Sequence, residues 1–108
     1  MIKVIHNTFG DVMRHVANVD TNNLNVAYHL TNTIDKLWPD NDDVEVTTSV
    51  KEAAGGARST SMGDIMVTEH GIVLLVAAFG FDEMNKDNIK RFFKNDGDVD
   101  KLEAIIKS

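Results

Sequence analysis

The side chains best suited to binding or catalysis lie in one short segment, residues 58–64. Its sequence, Arg-Ser-Thr-Ser-Met-Gly-Asp, places a guanidinium, three hydroxyls and a carboxylate ahead of an apolar run. Arginine can hold a carboxylate or phosphate through two parallel hydrogen bonds. In one interpretation, this segment is therefore an exposed loop that binds an anion or a partner's carboxylate. In the other, Arg58 pairs with Asp64 or with carbonyls at a helix end, and the hydroxyls satisfy backbone groups where the chain turns into a strand.

Two residues earlier in the chain join this segment as candidates. Trp38 follows a predicted helix, where it either belongs to the binding surface or packs under the 58–64 segment as a core anchor. Asn32 lies within that helix, and a buried amide there would need partners in both helix and hairpin. The candidate partner- or ligand-binding residues are Arg58, Ser59, Thr60, Ser61, Asp64, Asn32 and Trp38.

Catalytic patterns are weak in this sequence. Ser59 or Ser61 can be combined with His70 and Asp64 into a triad on paper, but no nucleophile-elbow pattern supports it. The glycine- and serine-rich stretch lacks the lysine of a phosphate-binding loop. We therefore predict no catalytic residues and a protein that is not an enzyme.

The sequence also matches no known metal-binding motif. Asp96 could open a calcium loop, but the sixth and twelfth positions, which require glycine and glutamate, are Lys101 and Lys107. The four histidines show no ligand spacing, and the absence of cysteine excludes thiolate zinc sites. We predict neither a metal site nor a cofactor.

Length and charge narrow the class of protein further. The chain has 108 residues, enough for one domain, and a net charge of −6. An acidic chain is a poor binder of the nucleic-acid backbone and is attracted to basic surfaces. The longest apolar run, residues 72–79, is too short to cross a membrane, and the first residues do not resemble a signal peptide. We therefore expect a cytoplasmic protein without membrane contact.

Hydrophobic periodicity predicts the first half of the fold. Residues 2–8 and 12–19 read as a hairpin, with a helix over 11–18 as the alternative. Apolar residues spaced three or four apart predict a helix from 22 to 37. We expect Asp20 and Thr21 to cap that helix and Trp38-Pro39 to end it.

The second half is predicted from similar signals. Residues 44–48 alternate as a strand, 51–61 form a flexible connection, and 64–68 with 71–79 form a second hairpin. Asn85 and Asp98 are expected to cap two short helices. The predicted class is α+β, with about five mostly antiparallel strands, one long helix on the sheet and two short C-terminal helices. We expect the chain to form a single domain, 1–108, with a core at 1–81 and a helical extension at 82–108.

Several of these sequence motifs also resemble those of a known protein family. Ala-Tyr-His-Leu-Thr-Asn-Thr-Ile-Asp at 27–35 with Trp38, the 58–64 segment, and Phe-Gly-Phe at 79–81 resemble a family of small bacteriophage and plasmid proteins. The hairpin part is similar to YodL-like domains of mobile elements. The resemblance covers about residues 12–81 and implies a mobile-element origin and a role in the host bacterial cytoplasm. It supplies no catalytic residues.

The leading functional hypothesis is a non-enzymatic phage protein that binds a host macromolecule, most simply a host protein, and modulates or inhibits it. It rests on the resemblance, the small size and the acidic charge. One alternative is a small-ligand or nucleotide sponge that uses the 58–64 segment. Another is a virion component in which the apolar strand at 72–79 pairs between subunits.

Overall fold

An antiparallel sheet with helices on both faces forms the described part of the chain. The computed structural model describes residues 1–7, 13–32, 38–47, 58–93 and 96–108. Within these ranges the strands are β1 (Ile2–His6), β2 (Arg14–Val19), β3 (Val44–Val46), β4 (Ile65–Val67), β5 (Val73–Ala77) and β6 (Gly80–Met84). The helices are α1 (Leu24–Leu30), α2 (Lys86–Phe93) and α3 (Asp96–Lys107), with a 3-10 turn at Trp38–Asp40.

The sheet consists of two three-stranded meanders placed side by side. The strand order is β3-β2-β1-β4-β5-β6, and every neighbouring pair is antiparallel. The meanders meet where β1 pairs with β4, with Ile5 opposite Ile65. This pairing makes β1 and β4 the central strands, and the candidate segment 58–64 leads directly into β4.

One face of the sheet packs against α1 and Trp38. Alternation along β1 directs Ile2 and Val4 to this face. A bulge in β2 then interrupts the alternation, because Val4 pairs with Ala17 whereas Ile5 pairs with His15. The extra residue, Val16, is buried in the same cluster as Ala17. Ala27 on α1 and the fully buried Trp38 complete this core.

The opposite face is apolar only beneath α2 and α3. Its buried cluster comprises Ile5, Met13, Ile65, Val67, Val73, Met84 and Leu102. Ile89 and Phe93 of α2 pack against this cluster, as do the half-buried isoleucines near the end of α3. Lys3, also on this face, donates from Nζ to the carbonyl oxygens of Ile105 (2.7 Å) and Ile106 (3.1 Å). The positively charged Lys3 ammonium therefore binds the last carbonyls of α3, at the negative end of the helix dipole.

The prediction of the α+β class, both hairpins and the two C-terminal helices is confirmed, but the strand count is wrong. The described residues form six strands rather than about five, because Gly80–Met84 forms an additional edge strand, β6, that the hydrophobic pattern does not predict. β6 therefore crosses the position, between residues 81 and 82, at which we expected a helical extension to begin. The alternative of a helix at 11–18 is also wrong over the described residues, since Arg14–Val19 is a strand.

The predicted long helix is short in the described chain. α1 ends at Leu30 with Thr31 as its C-cap, and residues 33–37 lie outside the described ranges. The expected cap was also wrong, because the side chain of Asn23 accepts hydrogen bonds from the amides of Asn25 and Val26. Thr21 instead accepts from the Asn23 amide and shapes the turn before the helix.

The last helix differs in its start. α3 begins at Asp96, so Asp98 lies in its first turn and does not cap it. Asn85 does cap α2, since its side chain accepts from the Asn88 amide at 2.8 Å. No helix of the described residues combines the length and apolar character needed to span a membrane.

Candidate binding surface

A partly buried ion pair organises the 58–64 segment. The Arg58 guanidinium contacts the Asp64 carboxylate through two hydrogen bonds, Nη1 to Oδ2 at 2.7 Å and Nη2 to Oδ1 at 2.8 Å. The Asp64 side chain is 0% exposed and the Arg58 side chain is 25% exposed. Charge-assisted bidentate pairs of this kind are strong and geometrically specific. Arg58 therefore points its fork inward at Asp64.

The Asp64 carboxylate also binds two backbone amides from separate segments. Oδ1 accepts from the amide of Asn7 at 2.7 Å, and Oδ2 accepts from the amide of Ser61 at 2.8 Å. Asn7 directly follows β1, and Asp64 directly precedes β4. One carboxylate thus connects the ends of both central strands with the candidate segment.

A tight turn at residues 61–64 is attached to β5. The amide of Asp64 donates to the carbonyl of Ser61 at 3.0 Å, and the amide of Gly63 donates to the carbonyl of Val76 at 2.8 Å. Gly63 has a φ of +95°, a conformation that side-chain-bearing residues rarely adopt. The turn therefore has a fixed position, and Met62, at its tip, points into solvent with 60% of its surface exposed.

Beneath the segment lies a chain of buried hydrogen bonds. Thr60 Oγ1 donates to Thr31 Oγ1 at 2.8 Å, and Thr31 Oγ1 donates to the carbonyl of Ala27 at 2.8 Å. His6 Nε2 lies 3.0 Å from Thr60 Oγ1 and, because that hydroxyl already donates its proton, acts as the donor. The chain ends on the carbonyl of Ala27 in α1, so it joins that helix to the 58–64 segment.

Trp38 supports the same segment from below. Its indole Nε1 donates to the carbonyl oxygen of Arg58 at 2.7 Å, and its ring meets the edge of His6 with centroids 6.1 Å apart. The prediction that Trp38 packs under the 58–64 segment is confirmed. Because Trp38 is fully buried, it supports the surface without contributing to it.

The candidate residues therefore separate into two groups. Thr60, Asp64 and Trp38 are buried, whereas Arg58, Ser59, Ser61 and Asn32 are partly exposed. Ser59 lies within the cluster, since its carbonyl accepts from Arg58 Nη1 at 3.1 Å and from the Ser61 hydroxyl at 3.3 Å. Asn32 stands apart, because its side-chain amide donates to the carbonyl of Tyr28 within the same turn of chain. Thr31 and Thr60 form the link between helix and segment that we expected of Asn32.

Sequence reasoning missed the most exposed apolar side chain near this site, Phe79. It occupies the two-residue turn between β5 and β6 and is fully exposed. Gly80 follows with a φ of +106° and open space around its Cα, so backbone conformation alone requires glycine there. β5 ends and β4 begins at the same end of the sheet, so Phe79 and Met62 project from neighbouring turns. We call this pair the Met62/Phe79 tip.

The triad drawn from the sequence does not assemble. His70 lies in the turn between β4 and β5, at the other end of β4 from Asp64. Among the described residues, no group of three His, Asp or Glu side chains is placed to hold a metal ion. The carboxylate and guanidinium of the segment are engaged with each other.

A groove of about 610 Å³ lies on the far side of the molecule, between the β5–β6 ladder and the C-terminal helices. Its floor includes Val73, Met84 and Ile89. Its rim carries two lysines and two glutamates, Lys86, Lys107, Glu83 and Glu103. These opposite charges indicate no preferred ligand charge.

The pKa of one histidine, His15 in β2, is shifted by its surroundings. Burial lowers the pKa of His15 below its usual 6.5, although hydrogen bonds to Asn18 and to the carbonyl of Ala17 oppose that shift. His15 Nε2 lies 2.8 Å from Asn18 Oδ1 and 3.1 Å from the Ala17 oxygen. Both partners are acceptors, so the neutral ring donates from Nε2.

Comparison with other proteins adds no family assignment. The chain matches no protein-family model, no curated protein and no solved structure.

Proposed function

We propose that this chain is a non-enzymatic binding protein that uses the Met62/Phe79 tip to contact a host macromolecule, most simply a protein, and so modulates or inhibits it. Its encoding by a phage or plasmid and its action in the host bacterial cytoplasm are part of this proposal. They rest on the motif resemblance described above.

The observation that carries the proposal is the exposure of two large apolar side chains on supported turns. Phe79 is fully exposed and Met62 is 60% exposed. Exposed aromatic and methionine side chains are enriched at protein interfaces, where a few of them supply most of the binding free energy. The buried Arg58–Asp64 pair and Trp38 stabilise the turn beneath Met62. A rigid support of this kind reduces the entropy lost on binding.

The two alternatives have less support. A phosphate-binding site in the 58–64 segment would have to displace the Asp64 carboxylate, which already holds the Arg58 fork through two hydrogen bonds. Pairing of the apolar strand between virion subunits would need a free edge on β5. That strand is already paired with β4 on one side and β6 on the other.

The proposal is tested by affinity capture from a lysate of the bacterial host, followed by mass spectrometry. Tagged wild-type protein is compared with Phe79→Ser and with a double variant that also carries Met62→Ser. We expect one host protein to be retained by the wild type and lost from both variants. Both side chains are solvent-exposed, so the variants should keep the wild-type circular dichroism spectrum and unfolding midpoint.

A matched control is Phe92→Ser, which makes the same chemical change at an exposed phenylalanine of α2. This control should retain the host protein. Equal capture by the wild type and both tip variants would refute the proposal, as would equal loss from the Phe92→Ser control.

A further inference from the structure

Within the described residues, β6 is an edge strand whose outer side pairs with no other strand, and it lies beside the Met62/Phe79 tip. β6 pairs with β5 on one side, and no described strand pairs with its other side. Unpaired edges offer their backbone N–H and C=O groups to an additional strand. β6 has five residues, which is an ordinary strand length, whereas the opposite edge strand, β3, has three.

Hydrogen bonds on the far side of β5 establish which groups of β6 point outward. Val76 donates to the carbonyl of Asp64 and accepts from the amide of Gly63, each at 2.8 Å. Both backbone groups of Val76 therefore point toward the β4 side. Val76 therefore makes no backbone hydrogen bonds to Phe81, which lies opposite it in β6. Along an antiparallel strand, the direction of the backbone groups alternates from one residue to the next.

The backbone groups of Phe81 consequently point away from the sheet. Glu83, two residues further along, has the same orientation. Asp82 lies opposite Leu75 and directs its groups inward to the ladder. The free edge thus offers two donor and acceptor pairs, at Phe81 and Glu83, spaced as a partner strand requires.

The side chains of this edge specify the charge of such a strand. Asp82 and Glu83 are consecutive and exposed, so they project from opposite faces of the sheet. Two consecutive residues of an added strand would lie opposite them. Lysine or arginine at those positions would form favourable cross-strand pairs, whereas acidic residues would repel. The residue opposite Phe81 would meet the partly buried ring that packs on Tyr28.

We propose that β6 binds an extended segment of the partner protein that carries two consecutive basic residues next to an apolar residue, and that this segment adds a seventh strand to the described sheet. This inference rests on the proposed protein-binding function and identifies the recognised segment. Phe79 directly precedes β6 and so makes the edge continuous with the tip. The net charge of −6 favours approach of such a segment.

The test uses a labelled peptide, Thr-Val-Arg-Lys-Val-Thr, with the whole chain and fluorescence anisotropy at low salt. A peptide with Glu-Asp at the centre is the matched probe, and we expect it to bind at least about tenfold more weakly. Amide hydrogen exchange is measured in parallel. Binding of the basic peptide should slow exchange at Phe81 and Glu83 at least about tenfold and leave the amide of Asp82, already in the ladder, little changed.

Variants of Glu83 separate backbone pairing from charge. Glu83→Pro removes an outward N–H and no ladder bond, so it should fold and lose the peptide. Glu83→Gln keeps the amide and should bind about two- to fivefold more weakly. Asp82→Pro removes a ladder bond and should be clearly less stable than Glu83→Pro.

Three results would overturn the inference: no binding of the basic peptide, equal binding by Glu83→Pro, or unchanged exchange at Phe81 and Glu83. The exchange measurement uses wild-type protein and so does not depend on whether Glu83→Pro folds. Loss of host-protein capture in Phe79→Ser together with any of these results would leave the proposed function standing. A concentration-dependent dimer that excludes the peptide and protects the same amides would assign the edge to a second copy and overturn the inference.

Discussion

Replacing Arg58 with alanine is expected to lower the free energy of unfolding by about 3 kcal/mol. Asp64 is 0% exposed and accepts four hydrogen bonds, two from Arg58 and one each from the amides of Asn7 and Ser61. Removing one partner of a buried pair typically costs about 3–5 kcal/mol. Arg58 is 25% exposed and the two amides remain, so the lower end of that range applies.

Such a loss is large for a chain of this size. Stability of about 0.05–0.15 kcal/mol per residue corresponds to roughly 5–15 kcal/mol for the protein. A loss of about 3 kcal/mol should lower the melting temperature by roughly 10–20 °C. Urea unfolding followed by circular dichroism measures the midpoint and slope, and an unchanged slope shows that the change is one of stability.

The matched control is Arg91→Ala, at an exposed position of α2. It should change the free energy of unfolding by less than about 0.5 kcal/mol. An Arg58→Ala midpoint as close to wild type as the control would refute the structural role. It would restore the interpretation in which Arg58 serves a partner and its loss leaves the fold intact.

Further perturbations address the other supports of the fold. Trp38→Phe removes the indole donor from the carbonyl of Arg58 and should cost about 1–3 kcal/mol; an unchanged urea midpoint would contradict this. Lys3→Met keeps the aliphatic stem but loses the bonds to the end of α3. It should cost about 1–2 kcal/mol and speed amide exchange at the C-terminal end of that helix, and equal exchange would refute the capping role. The lowered pKa of His15 means that the unfolded chain takes up a proton more readily than the folded one, so its contribution to stability is lost as pH falls below about 6.5. His15→Gln should flatten that decline, and parallel pH profiles of the urea midpoint would refute it.

The sequence predicts a strand correctly where the residues are apolar or β-branched and the strand is buried in the sheet. β5, with Val-Leu-Leu-Val-Ala, is apolar on both faces and lies between two strands, as its composition indicates. β6 could not be predicted in the same way, because Gly-Phe-Asp-Glu-Met has no β-branched residue and two carboxylates. Its strand conformation comes from pairing with β5 at the edge, where acidic side chains remain in water.

Only the local part of the candidate surface could be predicted. Arg58 and Asp64 are six residues apart in one segment, and their pairing follows from complementary charge. The amide of Asn7 and the Thr31 hydroxyl come from distant segments that no spacing rule connects to this turn. The exposure of Phe79 was equally hidden, since an apolar run predicts burial and the tight turn overrides it.

The arrangement of the two meanders has a consequence for how quickly the chain can fold. In the β4–β6 meander the paired strands are joined by short turns, and β2 and β3 are separated by residues 20–43 with α1. Ile5, by contrast, pairs with Ile65, sixty positions later. Closing so long a loop costs entropy before any contact compensates for it. The β4–β6 meander can therefore form early, with docking of β1 onto β4 as the slow step. The hydrogen bond from the Asn7 amide to the Asp64 carboxylate would then form only when β1 docks onto β4.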